Sequence, residues 1–247
     1  MPNWCYTKIT VTGDETVIKK INDAFDAART REFAKKAFRA CVEADRRYSA
    51  YKDKRMSDFG TNWLGNFLHY AYRDASVWSE VDCRGRIIDT SLYGNALDID
   101  IETAWGPQLE AIMSLIESVA GINNPNLNIS FFSEEPGNAF YATNQPELIG
   151  HCFCSEYADS DIPAAELVQL INEKNGLSLR TIDEAKQYSW EHDAPWYIDG
   201  PYKERAIDNY RSYLLANEEE RKKAFAKARQ IIKKESAKTK KSEDKEL

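Results

Sequence analysis

Apolar and polar positions alternate from Tyr6 to Thr12, with Ile9 and Val11 on one side and Lys8, Thr10 and Thr12 on the other. The pattern predicts a half-buried strand closed by Gly13. Asp14 then stands as a helix cap, and Val17, Ile18, Ile21, Phe25 and Ala28 recur at helical spacing. A second helical stretch, about 31–52, gathers Phe33, Ala37, Ala40, Cys41, Ala44 and Tyr48 on one face. Its other face is rich in Arg and Lys, which suits solvent or a phosphate surface. Asp58 to Tyr72 is aromatic and punctuated by glycine, and continues as a short helix. From Arg86 to Thr103 two alternating runs, Ile88/Thr90/Leu92 and Leu97/Ile99/Ile101, flank Gly94-Asn95. Both turn residues tolerate the positive φ that a two-residue hairpin demands. Beyond Gly106-Pro107, Leu109, Ile112, Met113, Ile116 and Val119 predict a helix ended by Gly121, and Leu127, Ile129 and Phe131 a further strand.

The order strand, helix, hairpin, helix, strand predicts an α+β fold with a ferredoxin-like βαββαβ core. This domain spans 1–157, with a helical insertion of about 31–80 expected to pack at one edge of the sheet. A helical C-terminal extension covers 158–235. It includes helices over 162–175 and 181–188, an aromatic, Pro- and Gly-broken loop over 190–202, and a long helix from about 203 to 234. Residues 236–247 have almost no apolar side chains and read as a disordered tail.

Charge changes the picture more than composition does. The chain carries −7 overall, but Glu218 to Leu247 holds 11 Lys+Arg against 7 Asp+Glu, leaving 22 against 33, or −11, elsewhere. An acidic body with a basic tail is not the footprint of phosphate-driven binding over the whole surface. The opening residues show no leader, and no apolar run is long enough for a membrane span, so a cytoplasmic location and no membrane partner are expected. Five scattered cysteines read as free thiols.

Asn62-Trp63-Leu64-Gly65-Asn66, Cys83-Arg84-Gly85, Thr103-Ala104-Trp105-Gly106-Pro107 and Glu134-Glu135-Pro136-Gly137-Asn138 follow in that order. With the opening Met1-Pro2-Asn3-Trp4-Cys5 and Tyr141-Ala142-Thr143-Asn144, they resemble the phage and plasmid Api92-like proteins with their YubB-type ferredoxin-like domain. The resemblance covers about residues 1–157 and departs at Gly106, where Ser or Pro is expected. It implies the same fold and a home on phages or other mobile elements, and no particular activity.

Several constellations carry candidate chemistry. His151-Cys152-Phe153-Cys154 invites zinc, but Cys-x-Cys without a second pair fits buried thiols better, so neither metal nor cofactor is expected. Asp98, Asp100 and Glu102 lie at period two, as the wet face of a sheet or as an acidic interaction surface. Glu134 and Glu135 point apart on an extended chain and are poor partners for acid–base work. Arg84 can clamp a carboxylate or phosphate, or pair with Glu134 or Glu135. A small-ligand pocket would need Trp63, Arg84, Trp105, Glu134 and Glu135 to converge.

The leading expectation is a non-enzymatic binding protein of a mobile element that inhibits a host defence component through Asp98, Asp100 and Glu102. Two alternatives stand beside it: a nucleic-acid-associated protein using the basic tail and the face near Arg46 and Arg47, and a small-ligand enzyme built on the pocket. Oligomeric state is not legible.

Overall fold

The structure, a computed structural model, describes residues 4–44, 60–74, 83–135, 140–144 and 218–243, with positions 77 and 81 and scattered ones between 168 and 187. It is a mixed α+β protein with a five-stranded antiparallel sheet. In chain order the elements are β1 (Trp4–Thr12), α1 (Glu15–Ala28), α2 (Arg31–Ala44), a 3-10 turn (Gly60–Asn62), α3 (Leu64–Tyr72), β2 (Gly85–Tyr93), β3 (Ala96–Ala104), α4 (Glu110–Ala120), β4 (Asn128–Glu135), β5 (Phe140–Thr143) and α5 (Glu218–Glu243). The strand order is β2-β3-β1-β4-β5. Beside the four core strands the sequence offers Tyr141 and Phe153 for further ones, and Tyr141 falls in β5, while Phe153 lies outside the described residues. The fifth pairs antiparallel with β4, Phe132 opposite Thr143 and Glu135 opposite Phe140.

The local signals act as their chemistry dictates. The Asp14 carboxylate accepts the backbone N–H groups of Thr16 at 2.9 Å and Val17 at 3.3 Å, and the Thr16 hydroxyl as well. Gly94 takes φ +53° in the hairpin turn, and Gly121 takes φ +98° past the end of α4.

Contacts divide the chain into two compact units. The first comprises Met1–Thr10, Ile99–Pro107 and Ile129–Ser212; the second comprises Val11–Asp98, Gln108–Asn128 and Tyr213–Leu247.

In the first unit the buried positions of three strands alternate with half-buried or exposed ones. Ile9, Ile99, Ile101, Ile129 and Phe131 make the apolar part of the buried set. Along the same rows, beside the Cys5 thiol, the set turns polar: Thr7 on β1, Thr103 on β3, Ser133 and Glu135 on β4. The Thr7 and Ser133 hydroxyls bond each other at 2.8 Å across β1 and β4. Such a bond contributes about 1 kcal/mol net, but leaving either hydroxyl alone there would cost more.

In the second unit α3 is the hub. It packs against α4, α1, α2 and α5. Phe67 meets the ring of Phe25 at 5.3 Å, and Tyr72 meets that of Phe225 at 5.1 Å. The Tyr72 hydroxyl and the Ser114 hydroxyl share a buried hydrogen bond of 3.1 Å. The insertion was expected at a sheet edge, and Trp63 does bridge Arg86 on the edge strand β2. Its helix α3, however, lies among the other helices, because Leu64, Phe67, Leu68, Ala71 and Tyr72 are apolar nearly all round and need neighbours on several sides.

The C-terminal helix α5 buries Arg221, Phe225 and Ala228, spaced for one face, and continues to Glu243, into the stretch for which disorder was expected. Lys and Ala there are good helix formers, which composition-based reasoning about disorder does not weigh. The helices expected over 162–175 and 181–188, the loop over 190–202, and most of the long helix before Glu218 fall largely outside the described residues.

Candidate functional site

The expected site residues separate into three groups. Asp98 and Asp100 are half-buried and Glu102 is buried at 7% exposure, and each engages a partner. Asp98 and Asp100 thus keep to the partly exposed face that alternation gives them, and only Glu102, at the end of the row, is closed in. Lys8, Thr10 and Thr12 are likewise half-buried.

Trp63 and Arg84 belong to the second unit. The indole N–H of Trp63 donates to the Cys83 carbonyl at 2.8 Å with the ring 2% exposed. Its polar atom is thus committed to holding the Cys83-Arg84 segment in place. Gly65 is required beneath it: a Cβ there would lie 2.5 Å from the Trp63 ring.

Trp105, Glu134 and Glu135 belong to the first unit. Trp105 is 54% exposed and holds φ +72°, a left-handed conformation that costs a bulky side chain free energy. The Thr103 hydroxyl steadies the turn by donating to the Gly106 carbonyl at 2.6 Å. Glu135 is 1% exposed, and its Oε2 takes no hydrogen bond. It forms no ion pair among the described residues. Burial raises the carboxyl of Glu134 above the ordinary range. Burial also pushes the Cys5 thiol up to about 12, against hydrogen bonding to Thr7; the charge of Glu135 adds to the rise. A thiol so held is a packed core group and no nucleophile.

Among the described residues no three His, Cys, Asp or Glu side chains converge to hold a metal ion. Cys5, Cys41 and Cys83 are free and buried. His151, Cys152, Cys154, His192, Arg46 and Arg47 lie outside the described residues. No described helix is long and apolar enough to cross a membrane.

Two features were missed in the sequence. On β2 the alternating run Ile88/Thr90/Leu92 is the outward one: Ile87 is buried, while Ile88, Leu92 and Tyr93 are exposed by 48%, 43% and 61%. Among the described strands β2 stands at one edge of the sheet, with β3 as its neighbour. The other missed feature is Arg73, just past α3, whose guanidinium carbon stands 4.4 Å from the Phe33 ring centroid and 5.2 Å from that of Tyr70. A basic residue following a run of aromatic ones was the signal, legible only with the helix end known.

No family model, no curated protein and no solved structure matches the chain.

Proposed function

We propose that this chain is a non-enzymatic binding protein of a phage or other mobile element that acts on a host protein in the host cytoplasm, with inhibition of a defence component as its most concrete form. The ordered motifs from Asn62 to Asn138 support the mobile-element origin. A ferredoxin-like core is part of the reading: β2-β3-β1-β4 is the order produced by interleaving two βαβ halves, and β5 is an added edge strand.

The observation that carries the reading is the edge strand β2. It is nine residues long, and it exposes Ile88, Leu92 and Tyr93. Past Arg86, where Trp63 bridges, no described strand covers its outer edge. Unprotected edges of this kind accept an added strand, whose backbone hydrogen bonds supply affinity and whose alternate side chains supply specificity. The occupant we assign is an extended host-protein segment that is apolar with basic residues, because the neighbouring strand β3 carries Asp98 and Asp100 and the chain outside its tail is at −11.

The test is affinity capture of the tagged protein from host lysate, with and without nuclease, beside the variants Ile88→Asp/Leu92→Asp and Asp98→Lys/Asp100→Lys. A stoichiometric partner that survives nuclease and is lost from both variants, with their melting curves unchanged, supports the reading. A partner retained by the folded β2 variant overturns the edge as its docking site. Recovery of nucleic acid alone would replace the protein partner altogether.

A further inference from the structure

Arg73 occupies an uncommon position. It caps α3 with φ +53°, its backbone N–H bonded to the His69 carbonyl at 2.9 Å. A left-handed turn at a helix end is usually given to glycine, since a Cβ there costs free energy. Here the turn carries the side chain onto two aromatic rings, Phe33 of α2 and Tyr70 of α3. Stacking holds the guanidinium plane in place, and burial pulls its proton affinity down without discharging it. Among the described residues no carboxylate stands within ion-pair distance of Arg73, and its buried Nε takes no hydrogen bond.

The surroundings are basic although the chain is acidic. α2 carries Arg31, Lys35, Lys36 and Arg39 against Glu32 and Glu43, and α5 carries ten Lys+Arg against five Glu. Both helices pack against α3. Lys36 is three residues on from Phe33 and acts electrostatically on His69, while Glu235 of α5 is the carboxylate whose charge reaches Arg73. Two of the cations in ion pairs, Lys36 with Glu32 and Lys227 with Asp74, sit 54% and 67% exposed in contacts of 3.4 Å. Exposed pairs of that kind contribute little and exchange readily for a stronger anion.

We infer that Arg73, with the exposed cations of α2 and α5 around it, binds the phosphate backbone of a nucleic acid. A stacked planar guanidinium that no described carboxylate reaches at ion-pair distance is suited to two-pronged contact with phosphate oxygens. Cations distributed over separate helices fit a repeating anion better than a single small one. The site shares no residue with the β2 edge, so either can fail without the other.

The experiment is fluorescence anisotropy with the full chain and labelled 30-nucleotide single-stranded DNA, RNA and duplex DNA at 50 and 200 mM salt, with polyglutamate as a competing anion. The expected result is binding that weakens at least tenfold between the two salts. Arg73→Leu should lose about tenfold in affinity, with Arg73→Lys between it and the natural chain, since lysine keeps the charge but not the plane. Lys35→Glu/Arg39→Glu, at two exposed positions of α2, should weaken binding and flatten the salt dependence, which keeps the test valid should Arg73→Leu fail to fold. Three results overturn the inference: no binding at 50 mM salt, affinity unchanged in the folded Arg73 and α2 variants, or an equal loss on reversing Lys19 and Lys20, exposed on α1. Competition by polyglutamate at equal charge would assign the face to acidic protein instead.

Discussion

The guanidinium of Arg221 stands 3.5 Å from the carboxylate of Glu117, and the two side chains are 8% and 6% exposed. This buried ion pair ties the C-terminal helix α5 to α4. Burying two charges is costly, and their attraction repays it only while both are present. Arg221→Leu or Glu117→Leu alone should each destabilise the protein by about 3 kcal/mol, and the double change should recover most of that loss. Urea unfolding of the four proteins checks it. Losses that simply add in the double variant would show that the two charges are not coupled.

Gly65 and Trp63 form a second dependence. A methyl group at Gly65 meets the indole at 2.5 Å, so the ring must shift, and its hydrogen bond to the Cys83 carbonyl must loosen. Gly65→Ala should cost about 1–3 kcal/mol. Gly106→Ala, where nothing lies within 4 Å of the added carbon, should fall within about 0.5 kcal/mol of the natural chain. Thermal melts of the pair compare them directly, and equal shifts would contradict the packing described at Trp63.

His69 should make the protein acid-sensitive over a defined window. Burial, then Arg73 and Lys36, lower its pKa from the ordinary 6.5 to about 4. Between those values the unfolded chain takes up a proton that the folded chain refuses, so stability declines as pH falls from 6.5 towards 4 and is fully present above 6.5. His69→Gln should shrink the decline across that window by about 2 kcal/mol, the figure discounted for the partial exposure of the ring. Denaturation midpoints at pH 7 and pH 4.5 read it out. An undiminished decline in the variant would assign the sensitivity to other groups.

The buried cysteines provide a probe of global opening. In a Cys152→Ser/Cys154→Ser background only Cys5, Cys41 and Cys83 remain, all buried, with the Cys5 thiol pushed up to about 12. At pH 8 an aromatic disulfide reagent should leave all three untouched in the folded protein and label them promptly in urea. Rapid labelling of one thiol without denaturant would reveal local opening at that residue.

Legibility followed sequence distance. The Asp14 cap, the Gly94 turn and the Gly121 helix end each depend on neighbours within a few residues, and all were read correctly from the chain. The polar buried rows were not. Thr7 and Ser133 are 126 positions apart, and Glu135 looks like any surface acid until β4 is laid beside β1. The burial of Glu102 on β3 was missed for the same reason, since alternation says which residues share a face but not what packs over it. Ile88 and Leu92 show the same limit of alternation: the run is legible, but its exposure on an edge strand is not.

The amino-acid sequence by itself determined the strands and helices from β1 to β4, their caps and turns, and an α+β class, because periodicity and capping are satisfied within one element. The tertiary structure alone decided the pairing of the fifth strand with β4, the central place of α3, the burial of Glu102 and Glu135, and the stacking of Arg73 on Phe33 and Tyr70. Each of these depends on which distant elements become neighbours, and that is set by the packing of whole faces and the pairing of strands rather than by any local run of residues.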